Sequence, residues 1–95
     1  MALTKEKISL YQLAIDKWGL DSQLDMAVEE SAEFIVSIQH FRRNTKNETI
    51  ENVIEEIADM ELMIEQIKYM LNINSFQLYQ VKVEKLERLE KLLEL

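Results

Sequence analysis

The fold of this chain is decided by two stretches of similar pattern, AVEESAEFIVSIQHF at residues 27–41 and VIEEIADMELMIEQIKYML at residues 53–71. In both stretches, apolar residues recur at the spacing of an amphipathic α-helix that buries one face. Neither stretch contains Gly or Pro, the residues that most disfavour a helix interior. The two stretches therefore predict two long helices that pack side by side.

Composition favours helices throughout the chain. Its 95 residues include one Gly and no Pro, which disfavours a turn-rich β fold. Hydrophobic residues make up 47% and charged residues 31%, so we expect a folded chain and not a disordered one. This length is enough for one small domain, and the prediction is a single all-α domain over residues 1–95.

Caps and breaks divide the chain into four predicted helices. They are expected over residues 4–18, 21–41, 48–71 and 75–95. Gly19 lies just past the end of the first helix, where glycine is favoured. Thr45 with Glu48 is the expected capping pair of the third helix, and Ser75 is the expected cap of the fourth. A helical domain this small buries a limited core, so we expect oligomerisation to add burial.

Charge and residue type exclude several kinds of site and partner. A net charge of −7 argues against nucleic acid as a partner, although metal ions would still let the chain bind a nucleotide. Without Cys, no thiolate zinc site or cysteine nucleophile is possible, and the lone His40, expected at the surface or in an interface, cannot form a multi-histidine site. No signal peptide is recognisable, and no apolar run approaches the roughly 18 residues that span a membrane. We therefore expect a cytoplasmic protein with no membrane partner.

Two acidic pairs lie where apolar residues are expected. Glu30 with Glu33, and Glu56 with Asp59, are spaced i,i+3, so each pair lies on one face of its helix. Glu30 and Glu56 fall inside the apolar stripes, while Glu33 and Asp59 lie at their edges. Burying a carboxylate without a partner costs several kcal/mol of folding free energy, about 2 or more. A shared Mg²⁺ or Mn²⁺ would remove that cost; a solvated acidic face is the alternative that spacing alone leaves open.

The acidic motifs resemble those of a known family. EESAE at residues 29–33, followed after 22 residues by EIAD at residues 56–59, is similar to the EExxE and ExxD signature of MazG-like nucleotide pyrophosphohydrolases. These enzymes belong to the all-α NTP pyrophosphatase superfamily, and the small phage-related members look most similar. The resemblance covers roughly residues 15–92 and includes the KLERL run at residues 85–89.

The resemblance implies a fold, a reaction and a set of site residues. It implies a MazG-like bundle of about four helices, whose four-helix core is completed within or between subunits of a homodimer or homotetramer. It implies Mg²⁺, or Mn²⁺, held by Glu30, Glu33, Glu56 and Asp59, with Glu29 behind these ligands or acting as a base for the attacking water. The implied reaction converts a (d)NTP to a (d)NMP plus pyrophosphate, for house-cleaning or control of the nucleotide pool.

Three further residues are candidates for substrate binding. Gln23 lies on the same side as Glu30, about two turns earlier, where it could hydrogen-bond a base or ribose. Lys85 and Arg88 could meet phosphate, although a solvated charge or an ion pair within the helix is the favoured interpretation of each. Trp18 is expected in the core, with a base-stacking platform as the alternative.

Two other functions stay open. One is a non-catalytic helical oligomer of prophage origin that uses its acids to bind ions or a protein partner. The other is a different pyrophosphatase branch, such as one acting on phosphoribosyl-ATP, which is disfavoured because the chain offers no basic-rich loop for an extra phosphate.

Overall fold

The computed structural model describes residues 5–43 and 49–95, and the chain is helical throughout these ranges apart from short connections. Its helices are α1 Lys5–Trp18, α2 Leu20–Arg43, α3 Ile50–Met70 and α4 Ser75–Leu92. The prediction of an all-α chain with four helices is therefore confirmed. Within the described ranges, no helix combines the length and the apolar character that crossing a bilayer requires.

Two residues with positive φ separate the helices. Gly19 has φ +90°, and its N–H donates to the carbonyl of Ile15 at 2.7 Å, so it ends α1 as predicted. Asn72 has φ +51°, and the N–H of Ile73 reaches back to the carbonyl of Lys68 at 2.9 Å, as in a Schellman motif. Asn tolerates this left-handed conformation better than most residues do, which explains why α3 stops here.

The helix starts differ from the predicted caps. The side chain of Asn74 accepts the N–H of Gln77 at 2.9 Å, and Ser75 is already helical, so the prediction of Ser75 as the cap of α4 was wrong. Thr49 caps α3 by accepting the N–H of Asn52 at 3.3 Å. The predicted Thr45–Glu48 pair lies outside the described residues. Each cap of this kind stabilises its helix by about 0.5–2 kcal/mol.

Helices α2 and α3 form an antiparallel pair that carries the small core. Ala27 of α2 and Val53 of α3 are buried between them. Near the start of α2, the side chain of Gln66 donates to that of Gln23 at 2.5 Å, and both amides are buried. Polar groups thus occupy positions in this interface that apolar side chains would fill in a larger domain, and their mutual hydrogen bond offsets the cost of burial.

Helix α1 is attached to α3 by charge and aromatic contacts. Nζ of Lys7 lies 3.2 Å from a carboxylate oxygen of Glu65, which is only 5% exposed. The Tyr11 hydroxyl donates to the same carboxylate at 3.4 Å, and its ring lies 6.3 Å from that of Tyr69. Burial, and then the charge and hydrogen bond of Glu65, raise the pKa of Tyr11. The contact therefore combines packing with a partly buried ion pair.

The apolar faces predicted from the sequence are only partly covered. Trp18 is 57% exposed, with Nζ of Lys17 stacked 5.2 Å from its ring centre, so the expectation that it lies in the core was wrong. Phe41, Ile57 and Leu71 are also exposed. Among the described residues, α4 makes no close backbone contact with another helix. One copy of the chain therefore forms the α2–α3 pair and its α1 attachment, with α4 apart from them and many apolar side chains exposed.

Candidate metal centre

The acidic residues are positioned by the antiparallel register of α2 and α3. Gln23 lies opposite Gln66. Seven residues along α2 is Glu30, and seven residues back along α3 is Asp59. Seven residues are about two helical turns, so the face that points to the partner helix repeats at this interval. The register therefore brings the EESAE and EIAD motifs to the same level of the helix pair.

Three of the four predicted ligands come together. One carboxylate oxygen each of Glu30, Glu33 and Glu56 lies within 4.8 Å of the other two. Oxygen ligands around one Mg²⁺, each about 2.1 Å from the ion, are about 3–4 Å apart, so small side-chain rotations would suffice to bind one ion. Glu30 and Glu56 are half-buried, and Glu33 is exposed at the rim.

The surroundings of Glu30 disfavour the charged form of its carboxyl group. Burial raises the pKa of Glu30, and the charges of Glu33, Asp59, Glu56 and Glu29 raise it further. Oε2 of Glu30 is closed off from solvent and accepts no hydrogen bond from the described residues. Oε2 of Glu56 is closed off from solvent as well. At Glu30, leaving such a buried acceptor without a donor costs about 1–3 kcal/mol, more when it is charged.

Asp59 and Glu29 lie at the margin of the cluster. Both side chains are exposed, and neither belongs to the group of oxygens within 4.8 Å. Asp59 raises the pKa of Glu30 more than Glu29 does, so the charge of Asp59 acts more strongly on that carboxyl group. Asp59 could therefore complete a ligand set after its side chain moves. Glu29 is placed to act behind the ligands and not as one of them.

A shallow groove of about 350 Å³ opens beside the acids and adds residues that the sequence analysis did not assign to a site. It is lined by Glu33 and Glu56 together with Ser37 and His40. His40 follows Glu33 by seven residues, so the same helical periodicity that revealed the acids would have placed it on their face. An imidazole at this position is able to donate a hydrogen bond to an anionic ligand.

A second hollow, of about 340 Å³, lies further towards the start of α2. Trp18, Gln23, Met26 and Met63 contribute to its walls, and Gln66 completes its polar side. Met26 precedes Glu30 by one helical turn, about 6 Å along the axis. The predicted substrate residue Gln23 therefore lines a pocket next to the acidic cluster, with part of its amide engaged by Gln66.

The predicted phosphate-binding residues are not brought to the cluster within one chain. Lys85 and Arg88 are exposed on α4. The residues found to line the acidic groove come from α2 and α3. A role for Lys85 and Arg88 at this site would therefore require α4 to move or to come from another copy.

The donor set fits a hard divalent cation. Carboxylate oxygens are the ligands that Mg²⁺ and Mn²⁺ prefer, whereas zinc favours nitrogen and sulfur. The closed-off oxygen of Glu30 is the kind of acceptor that such an ion satisfies. Comparison of the chain with protein-family models, curated proteins and solved structures finds no match. The resemblance to MazG-like enzymes thus rests on the sequence motifs alone, and membership of that family stays a prediction.

Proposed function

We propose that this protein is a Mg²⁺-dependent nucleoside triphosphate pyrophosphohydrolase, with Mn²⁺ as an alternative ion. The observation that supports it most is the convergence of Glu30, Glu33 and Glu56 to within 4.8 Å from two different helices. Such a cluster is costly unless a cation is shared, and a divalent ion held by few carboxylates keeps positions open for phosphate oxygens.

Different residues of the chain would have different roles in this reaction. Glu30, Glu33 and Glu56 would hold the ion, and Asp59 would complete the set. A bound divalent ion supplies Lewis-acid polarisation of the phosphoryl oxygens and makes hydroxide available near neutral pH. Glu29, outside the ligands, would accept a proton from the attacking water. That water oxygen bonds to the α-phosphorus as the bond to the bridging oxygen breaks, which yields a (d)NMP and pyrophosphate.

The neighbouring hollow is the proposed place for the nucleoside. Its volume of about 340 Å³ suits a planar base, and Trp18 and Met26 offer apolar surfaces for stacking. The bond between Gln66 and Gln23 uses one donor and one acceptor, so Gln23 keeps N–H donors and Gln66 keeps acceptor capacity for the edge of a base. The distance of one helical turn to Glu30 leaves room for the sugar and α-phosphate between the base and the acids.

The proposal is tested by a nucleotide panel with two readouts. Purified protein with Mg²⁺, and separately with Mn²⁺, is incubated with canonical and modified (d)NTPs, and pyrophosphate and monophosphate are quantified together. Equal amounts of both from at least one substrate support the proposal. Release of inorganic phosphate with a diphosphate product indicates a different reaction, and no product across the panel rejects this one.

One alternative is favoured by a specific observation. Large apolar side chains are exposed on every helix, including Leu13, Val28, Ile54 and Leu86, so the chain presents extensive surface for association. This suits a non-catalytic helical oligomer whose acids bind structural ions or a protein partner. Ion-dependent stabilisation without turnover of any nucleotide would identify it.

Assembly and location follow as parts of the main proposal. The exposed apolar surface supports a homodimer or homotetramer as the working form. The proposed substrates belong to the nucleotide pool, which supports a cytoplasmic location. Sedimentation and fractionation of cells that express the protein test these two points separately.

A further inference from the structure

Helix α4 is amphipathic but unpaired within the described part of the chain. Its backbone comes close to none of α1, α2 and α3. Large apolar side chains nonetheless recur along it and are exposed: Phe76, Tyr79, Val81, Leu86, Leu89 and Leu92. In proteins, most of the stability of a helix such as this one of 18 residues comes from packing of its amphipathic face. The length and pattern of α4 therefore indicate that it packs against something outside its own chain.

Helix α2 carries a complementary surface, here called the α2 groove. It has a volume of about 560 Å³ and is lined by Leu24, Val28, Ala32 and Ile35 of α2, with Ile67 of α3 at its side. Val28 and Ile35 are 68% and 62% exposed. Residues 24, 28, 31 and 35 follow the four–three–four spacing of a helix seam, which suits a second helix laid along it.

The amount of exposed surface matches a missing partner. The chain exposes 7812 Å², whereas a compact folded chain of this mass exposes about 5,700 Å². Its radius of gyration is 16.3 Å, against about 12 Å for a compact domain of this length. The excess of about 2,100 Å² per chain exceeds the roughly 800 Å² that each partner buries in a standard interface, and the total of about 4,200 Å² for two chains falls in the range of obligate dimers.

We propose that the α2 groove binds α4 of a second copy of this chain, and that a symmetric dimer exchanges both α4 helices. Charge favours this pairing over α4 against α4. Helix α4 carries four basic and three acidic residues, while α2 carries five acidic residues with two arginines. An α4 pair would also leave the α2 groove uncovered. In a two-fold symmetric dimer each chain supplies one α2 groove and one α4, so the same contact forms twice.

The exchange would affect the acidic groove as well. Ala32 lines both the α2 groove and the groove beside Glu33 and Glu56, so the two surfaces adjoin. A partner's α4 in the α2 groove would stand next to the acids and bring its basic residues towards them. The interface itself does not depend on the hydrolytic reaction, so its test needs no substrate.

Disulfide trapping distinguishes the possible arrangements, because the native chain has no Cys. One set of variants carries Val28→Cys or Ile35→Cys, and the other carries Tyr79→Cys, Leu86→Cys or Leu92→Cys. Each variant is oxidised mildly by itself, and each variant of the first set is also mixed with each variant of the second. The products are run on non-reducing gels. We expect at least one mixture of the two sets to give a cross-linked dimer that neither of its variants gives by itself. Cross-linking of the α4 variants by themselves, with no additional dimer in any mixture, overturns the proposal in favour of an α4 pair.

Sedimentation of uncross-linked protein provides the second measurement. Wild type is expected to be dimeric at micromolar concentration, and Ile35→Glu or Leu86→Glu to shift it to monomer. Leu13→Glu is the matched control, since Leu13 is as exposed as Ile35 but lies on α1; it should stay dimeric. Circular dichroism checks that each variant keeps at least the helix content expected of α1–α3. A monomeric wild type, or a dimer that survives both substitutions, overturns the proposal.

Discussion

The side chains of Gln23 and Gln66 form a 2.5 Å hydrogen bond between the start of α2 and the end of α3, and this contact sets the level of the acidic motifs. Because Glu30 follows Gln23 by seven residues and Asp59 precedes Gln66 by seven, the register that pairs the amides also faces the acids across the helix pair. The buried amides and the candidate metal centre are thus two consequences of one alignment.

Loss of a central ligand should remove activity without unfolding the protein. Glu56→Gln keeps the size of a half-buried side chain but removes the charge that would bind the ion. We expect pyrophosphate release to fall at least about a hundredfold, because even an outer partner of a metal ligand is worth about 10- to 100-fold. Glu55→Gln, on the exposed neighbour, is the control and should keep near-wild-type turnover with the same circular-dichroism spectrum. Equal activity of the two variants would remove Glu56 from the ligand set.

The metal-free protein should become less stable as the pH rises. Burial and the neighbouring acids raise the pKa of Glu30 above its ordinary value of 4.5, so the folded state holds a proton that the unfolded state has lost. The stabilisation is complete below pH 4.5 and is lost as the pH passes the raised value. Glu30→Gln should therefore melt higher than wild type at pH 8 in EDTA, with the difference vanishing near pH 4. A lower melting temperature for the variant at pH 8 would contradict this reading of the cluster.

Binding of Mg²⁺ or Mn²⁺ should stabilise the wild type, and the loss of this stabilisation in variants should show which acids bind the ion. A ligand at 100 times its Kd adds about 2.7 kcal/mol, a shift of several degrees in melting temperature. We expect Glu30→Gln and Glu56→Gln to abolish the shift. Asp59→Asn should only weaken it, because Asp59 lies outside the three carboxylates that already converge. An equal loss in all three variants would show that Asp59 binds the ion as directly as they do.

The parts of the site that follow helical periodicity could be predicted from the sequence. Glu30 and Glu56 break apolar stripes that the spacing of their neighbours defines, so each residue's face could be known before the structure. His40 was within reach of the same reasoning, since it continues the face of Glu33 two turns later. Asp59, at the edge of its stripe, is the member for which periodicity alone does not determine the distance.

Features that depend on distant parts of the chain could not be predicted. The buried acid Glu65 pairs with Lys7, which is 58 residues away, and no local pattern reports such a contact. Trp18 was expected in the core because its own helix is amphipathic, yet α1 covers too little of α2 and α3 to enclose it. Whether an apolar face is buried depends on which surface meets it, and helical spacing carries no information about that partner.

The ion pair between Lys7 and Glu65 should be required for the attachment of α1. Lys7→Gln would leave the carboxylate of Glu65, which is 5% exposed, without its cation. We expect the free energy of unfolding in urea to fall by about 1–3 kcal/mol. Lys5→Gln, on the exposed neighbour, should change it by no more than about 0.5 kcal/mol. Adding Glu65→Gln to Lys7→Gln should restore part of the loss; a double variant weaker than Lys7→Gln alone would mean that Glu65 is held chiefly by Tyr11.

Trp18 should report nucleotide binding directly, because it is the only tryptophan in the chain and lines the hollow beside the acids. With Mg²⁺ and a triphosphate whose α,β-bridge is an uncleavable imido group, we expect a saturable change in its fluorescence. Gln23→Leu, which removes hydrogen bonds to a base while keeping an apolar wall, should weaken binding about tenfold, the equivalent of 1.4 kcal/mol. Inorganic pyrophosphate with Mg²⁺ occupies the acids and not the hollow, so it is the control: weaker pyrophosphate binding to Gln23→Leu would mean that losing the Gln23–Gln66 hydrogen bond had disturbed the acids themselves. If pyrophosphate alone reproduced the full fluorescence change, Trp18 would be sensing the metal centre, and the base would have to lie elsewhere.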